Sequence, residues 1–191
     1  MALVICDMSI SLDGYVTGPN DSRENPFGDG AGMLHAWMSG AATDEDRALL
    51  RDYINGVGAV VMGRKSFEKN EGDGGWGDGG PLGDTPCFVV THHKPAASYP
   101  SVFTFVTDGV ASAIGQAKNV AGGKVVGLHG ATVMQQALPL GLVDELRVHV
   151  IPVLLGGGTP LYGPLNSSIT LERTSALVTP AATHMMFRVI R

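Results

Sequence analysis

Residues 57–62, VGAVVM, are apolar without a break and run directly into Gly63-Arg64-Lys65-Ser66. A strand with no polar alternation has both faces covered, which points to a parallel sheet with helices on either side. Parallel strands need crossovers, and the chain supplies them. Apolar runs at 2–10, 87–91, 102–106 and 124–128 are interleaved with helical patterns at 43–55, 110–118 and 131–138. Strand, helix, strand in repetition implies right-handed crossovers and a parallel sheet. After Val143 the pattern changes. Segments 146–155, 169–178 and 184–190 read as strands without helices between them, so the C-terminal part is expected to be antiparallel.

Local signals sharpen this layout. Thr43 and Asp46 fit a capping box, Leu49, Leu50, Tyr53 and Ile54 form an apolar stripe, and Asn55-Gly56 marks the stop. MLHAWM (33–38) suits a short helix, and Asp13-Gly14 turns the chain after its first strand. The stretch 70–84 is polar and glycine-rich, with Trp76 as its one large apolar anchor, and suits a loop covering a cleft. No repeat or linker interrupts the 191 residues, so one domain spanning 1–191 is expected.

Composition excludes several classes. The 27 glycines cluster at 72–83 and 156–158 without a period, which suits functional loops and not a fibre. A net charge of -5 offers no basic face to a nucleic-acid backbone. Cys6 and Cys87 both lie inside apolar runs, as buried free thiols of a reducing compartment would. The first residues carry no basic segment and meet Asp7 early, unlike a signal peptide, and no run approaches a membrane span. A cytoplasmic protein with no membrane partner is the expectation.

Candidate sites follow from where strands end. Gly63 lets a ligand approach closely, Arg64 and Lys65 can meet phosphate, and Ser66 can cap the next turn. Gly58 and Gly63 have Walker A spacing, but Arg64 stands where its lysine belongs. The plain alternative is a solvated basic turn. Residues 127–132, GLHGAT, pass from a strand to a helix start, where free N–H groups and the helix dipole suit a pyrophosphate; a structural turn is the alternative. Residues 142–162 and 60–68 each set a β-branched run beside a glycine turn, and two such places in one small domain suggest a nucleotide cofactor, NADPH. Asp144 and Glu145 open a strand and point to opposite faces, so one at most can look into a cleft. Asp13 is either a turn residue or a substrate-side group. The six histidines are scattered without HExxH or Cys/His spacing, so no metal is expected, and no serine sits in GxSxG.

MSISLDGYVTG, VVMGRKSFE, VVGLHGATVMQQAL and LVDELRVHVIPVLLGGGTPLY, in that order, resemble the dihydrofolate-reductase-like family of the riboflavin-biosynthesis reductase domain, the RibD C-terminal domain. The resemblance spans essentially the whole chain. It implies an α/β, dihydrofolate-reductase-like three-layer fold: a mostly parallel central sheet flanked by helices, with antiparallel C-terminal strands. It also implies NADPH across the carboxyl edge. Gly63, Arg64, Lys65 and Ser66 match the turn holding the adenosine-side phosphates. Thr91 and His92 follow the next strand, near a 2′-phosphate, and Gly130, Ala131, Thr132 and Val133 match the pyrophosphate turn. Asp13 and Gly14 match the substrate-side turn, and Glu145 the VDEL motif. His129 stands where the family has the first of two glycines; a side chain there either crowds a pyrophosphate or donates a hydrogen bond to it.

These matches imply an NADPH-dependent oxidoreductase acting on a C=N or C=O bond of a small pteridine-, pyrimidine- or ribosyl-type substrate. Asp13 and then Glu145 are the expected catalytic groups. One rival is a true dihydrofolate reductase or 5-amino-6-(5-phosphoribosylamino)uracil reductase itself. Asp44, Glu45 and Asp46 lie near the folate enzyme's acid, but at a helix start, where capping accounts for them. The chain holds neither HxE nor PCxxC, the marks of the deaminase that accompanies the riboflavin enzyme. Another rival, favoured by His129, is a nucleotide-binding protein that has lost chemistry. A homodimer is expected, because the apolar C-terminal strands need more cover than two helices give.

Overall fold

The computed structural model describes residues 2–40, 42–70, 76 and 79–191. Of the expected covering loop, residues 72–75, 77 and 78 lie outside these.

One sheet of eight strands organises the chain: β1 (Val4–Ser11), β3 (Val57–Gly63), β4 (Cys87–Val90), β5 (Phe103–Val106), β6 (Val125–His129), β7 (Glu145–Ile151), β9 (Leu171–Val178) and β10 (Thr183–Val189). Their order is β5-β4-β3-β6-β1-β7-β10-β9. Every pairing from β5 to β7 is parallel, and β10 is antiparallel to both β7 and β9. The three C-terminal strands are thus antiparallel to one another, as expected, while β7 also lies alongside β1 in parallel, reached by the crossover through residues 131–137. A small second sheet pairs β2 (Tyr15–Thr17) with β8 (Thr159–Pro160).

Helices cover the two faces unequally. On one face α3 (Val110–Val120) and α4 (Ala131–Ala137) pack Ile114, Ala117, Val133 and Met134 onto Val4, Val61, Val126 and Leu128 in a continuous core. The other face carries two separate clusters. Phe67, on α2 (Arg64–Lys69), sits with Val60, Met62 and Val89. Leu34 and Trp37, on a 3-10 helix (Ala31–Met38), sit with Ile151 and Ala182.

Between these clusters the sheet is polar. Period-two alternation places Asp7 and Ser9 of β1, Arg147 and His149 of β7 and His184 of β10 on one face, in adjacent register. Above this strip runs α1 (Asp44–Gly56), which starts at Thr43 with the expected capping box. Its apolar stripe serves both core and cavity: Leu49 and Leu50 pack against the Leu34 and Trp37 cluster and Tyr53 against that of Phe67. Leu49, Leu50, Tyr53 and Ile54 also wall a cavity, and Ile54 remains 45% exposed. An apolar stripe marks the side of a helix that water avoids, not what that side meets. Cys6 and Cys87 are buried and free.

Candidate functional site

β3 and β6 are neighbours whose carboxyl ends coincide, with Met62 opposite His129. The two glycine turns named from sequence are thereby brought together. Gly130 adopts φ 93°, and a Cβ there would fall 2.4 Å from Ser66 Oγ, so the turns meet in a way that only glycine allows. Phe67 fixes the other side of α2, 1% exposed and edge-on to Tyr99, Phe103 and Phe105. Of the basic residues around it, Lys65 is exposed and Lys69 largely buried. Arg64 donates from Nε to Glu68 Oε1 at 2.7 Å and lies 5.6 Å from the Phe67 ring centre. Lys65 donates to Asp21 at 3.2 Å, and Lys69 pairs with the same carboxylate.

Two cavities, of about 750 and 550 Å³, meet at these turns and share Lys65, Ser66, Gly130 and Thr132. Gly63, Arg64, Thr91, His92 and Val133 line the smaller one. His129 and Ala131 line the larger. All eleven phosphate-side residues expected from sequence thus border one cavity or the other.

Asp13 and Glu145 border neither. Asp13 is turned onto backbone: it accepts from Leu155 N at 3.1 Å and Gly156 N at 2.7 Å, and from Ser11 Oγ at 2.5 Å. The Ser11 hydroxyl, followed by the two backbone N–H groups, holds its carboxyl below the usual range despite some desolvation. Glu145 begins β7, at the amino end of the parallel strands, opposite Ile5, and pairs with Arg147 at 3.2 Å. A turn over the carboxyl edge and a motif at a strand start gave no information on side-chain direction. Asp144 accepts from Val4 N at 2.8 Å and from Arg191 at 2.7 Å.

Asp21 and Asp52 border the larger cavity, Asp21 paired with Lys65 and Lys69, and so does Asp7 on the sheet. Asp7 Oδ1 is 2.8 Å from His149 Nε2, His149 Nδ1 is 2.7 Å from His184 Nδ1, and His184 Nε2 is 2.8 Å from Asp46 Oδ1. Trp37 lies over His149 with ring centres 4.3 Å apart and donates from Nε1 to Ser9 Oγ at 2.8 Å. Burial, then the neighbouring His149, holds the His184 imidazole below its ordinary value against the pull of Asp46. Burial pushes the Asp46 carboxyl up, but hydrogen bonds led by the Thr43 backbone N–H outweigh it and keep it below the usual range. Sequence did not single out this line, although polar residues alternate at its positions in VICDMSI, ELRVHVI and THMMFRV. Asp46 was legible only as a cap, which it also is.

Three buried nitrogens lack a hydrogen-bond partner among the described residues: His35 Nδ1, His129 Nδ1 and Arg147 Nε. All three residues line the larger cavity. Unpaired buried polar atoms are rare in folded proteins and accumulate where a ligand completes them. His129 is held neutral, its pKa lowered to about 4 by burial and by His35 nearby. A neutral imidazole can still donate one hydrogen bond, so His129 offers a donor at the turn it shares with Gly130.

The fold is that of dihydrofolate-reductase-like proteins. A dihydrofolate reductase from Enterococcus faecalis, complexed with NADP(H), superposes with a TM-score of 0.58 at 11% identity, over 99% of this chain and 97% of that one. A putative riboflavin biosynthesis protein from Shewanella sp. PV-4 superposes with a TM-score of 0.74 at 24% identity, over the whole of both chains. The RibD C-terminal domain model matches residues 2–185, and the chain belongs to that family. The uncharacterized protein YyaP of Bacillus subtilis (strain 168) is 25% identical over 181 residues, covering 88% of this chain and 85% of the relative.

Proposed function

We propose that the protein is an NADPH-dependent reductase of a C=N or C=O bond in a small, polar, ring-bearing or ribosyl substrate. The observation that carries this is the contact of the Gly63–Ser66 turn with the His129–Gly130 turn between two joined cavities. The residues present fit a dinucleotide phosphate. The space a Cβ would fill at Gly130 is kept open, an unpaired imidazole nitrogen adjoins it, and Arg64, Lys65 and His92 supply positive or donor groups.

In this reading Ser66, Thr132 and the backbone of Gly130 bind the pyrophosphate. Arg64, with Thr91 and His92, binds the adenosine-side phosphate. A bound nicotinamide supplies hydride. Leu49, Leu50, Tyr53 and Trp37 exclude water around the substrate, and Asp7 stands at the polar floor. The substrate is a small molecule, since the net charge of -5 does not suit nucleic acid. A cytoplasmic, single-domain protein fits the same picture, and among the described residues no helix is long and apolar enough to cross a membrane. A homodimer through the β9 side is also part of it, where Leu171 and Val178 are 37% and 75% exposed.

Titration of NADPH and NADH, followed by tryptophan fluorescence, tests this. NADPH should bind at least roughly tenfold more tightly, a difference of about 1.4 kcal/mol. Equal affinities would remove the 2′-phosphate site, and binding of neither would remove the reading. His129 favours a second one, a nucleotide-binding protein without chemistry. Any reduced product formed at the expense of NADPH eliminates it.

A further inference from the structure

We propose that Asp7 delivers the proton in this reduction, and that the His149–His184 pair, locked between Asp7 and Asp46, is the reservoir that supplies it. The proposal rests on the reductase reading above.

The hydrogen count along the line carries it. Asp46 accepts from His184 Nε2, so that nitrogen holds a hydrogen and His184 Nδ1 is left as an acceptor. The 2.7 Å contact between the two Nδ1 atoms then needs its hydrogen on His149. With Asp7 as a carboxylate, the 2.8 Å contact makes it the acceptor from His149 Nε2, which then holds a second one. Three ring hydrogens on two rings make His149 an imidazolium and His184 a neutral imidazole. The two carboxylates at the ends of the line together thus fix the protonation of both rings.

A purely structural role accounts for this poorly. Asp46 and Thr43 complete the helix cap without either imidazole. Buried charges are seldom the most stable filling for a core, and apolar residues of similar size often do better. Exposure also rises along the line, from 0% at Asp46 and 1% at His184 to 3% at His149 and 12% at Asp7, whose carboxylate borders the cavity. The contacts run in single file: among the described residues no group of three or more His, Cys, Asp or Glu could hold a metal ion.

Other titratable groups face the line from each packed element. Tyr53 on α1 and Cys6 on β1 are pushed well up, first by burial and then by the charge of Asp7, and stay neutral. His35 on the 3-10 helix is kept down by burial. Arg147 on β7 is paired with Glu145. That leaves the His149 imidazolium as the mobile proton.

The step balances. The substrate carbon takes hydride, two electrons and a proton, from a reduced nicotinamide. The C=N or C=O π pair moves to the heteroatom, which bonds a proton that Asp7, a carboxylate at rest, takes from His149 Nε2 and passes on. Asp7 returns to the carboxylate, His149 is left neutral, and a solvent proton relayed from the open cavity through Asp7 restores the imidazolium. Asp7 is the catalytic residue, while His149, His184 and Asp46 position the proton through it.

Nitrogen-15 NMR of the imidazoles in the intact protein tests the reservoir without any substrate. At neutral pH His149 should be protonated on both nitrogens and His184 on Nε2 alone, and D7N should turn His149 neutral. Two neutral rings in the wild type would overturn the proposal. With NADPH and a panel of cyclic imines, pteridines and open-chain sugar phosphates, D7N should lower kcat by roughly 10²- to 10⁴-fold with NADPH affinity kept. D46N should move the alkaline fall of the kcat profile to lower pH without changing KM, and an unmoved profile would overturn the proposal. No turnover on the panel, with the imidazolium present, defeats the reductase reading but not the reservoir. Turnover with a neutral His149 does the reverse.

Discussion

The carboxylate of Asp13 accepts the backbone N–H of Gly156 at 2.7 Å, tying the turn after β1 to a loop 143 residues further along the chain. Hydrogen bonds to the ionised form hold its pKa below 3.8, so its contribution to stability is present above that value. It is lost as pH falls through the lowered pKa. Asp13→Asn should melt below the wild type at neutral pH, and the gap should narrow in acid. Thermal unfolding at pH 7 and below pH 3.8 checks this, and an equal gap at both would remove the role.

Gly130 and Ser66 define the shape of the phosphate cradle. Gly130→Ala forces a Cβ to 2.4 Å from Ser66 Oγ at φ 93°. The expected cost is about 1–3 kcal/mol of stability, with NADPH affinity weakened roughly tenfold or more. Adding Ser66→Ala should relieve the clash but not the backbone strain, and so recover only part of the affinity. Calorimetric titration of the three proteins decides it.

His129 titrates from an ordinary 6.5 in the unfolded chain to about 4 in the folded one. Between those values the unfolded state binds more protons, so stability rises with pH across this window and falls on acidification. The swing is on the order of 2–3 kcal/mol. His129→Gln should flatten it, as urea melts at pH 5 and pH 7 would show.

Arg64 is held by Glu68 in an i,i+4 pair with side-chain exposures of 31% and 53%. Exposed pairs of this kind are weak, and freeing the guanidinium should favour phosphate. Glu68→Gln is expected to tighten NADPH binding by roughly two- to fivefold at low ionic strength, an advantage that high salt erases. A salt-independent gain would assign the effect to something other than charge.

Phe67→Ala should cost about 3–5 kcal/mol, because the ring is buried and filled around by three aromatic neighbours. The loss would also release α2 and its basic turn, so NADPH affinity should fall together with Tm. A stable variant that still binds normally would show that Arg64 and Lys65 need no anchor.

The parallel half of the sheet, the cap at Thr43 and both glycine turns were legible in the chain because each depends on short-range chemistry. An apolar run needs cover, a left-handed turn needs glycine, and a helix start needs a side-chain acceptor. Residues 63–66 and 129–133 carry that chemistry within a few positions. Which turn meets which was not written there, since it depends on β3 and β6 being neighbours although some sixty residues separate them.

Side-chain direction was the harder part. Asp13 and Glu145 had the right chemistry and family position, yet one is bound to backbone N–H groups and the other sits at the amino end of its strand. Asp7, Asp46, His149 and His184 come from four distant segments, each of which alone shows only a polar residue in an apolar strand or a cap. The sequence by itself determined most of the elements and the two glycine turns, because propensity, glycine conformation and capping act within a few residues. Only the tertiary structure decided the polar floor of the cavity and its line of carboxylates and imidazoles, because hydrogen bonds between strands depend on register and facing, which no single segment contains.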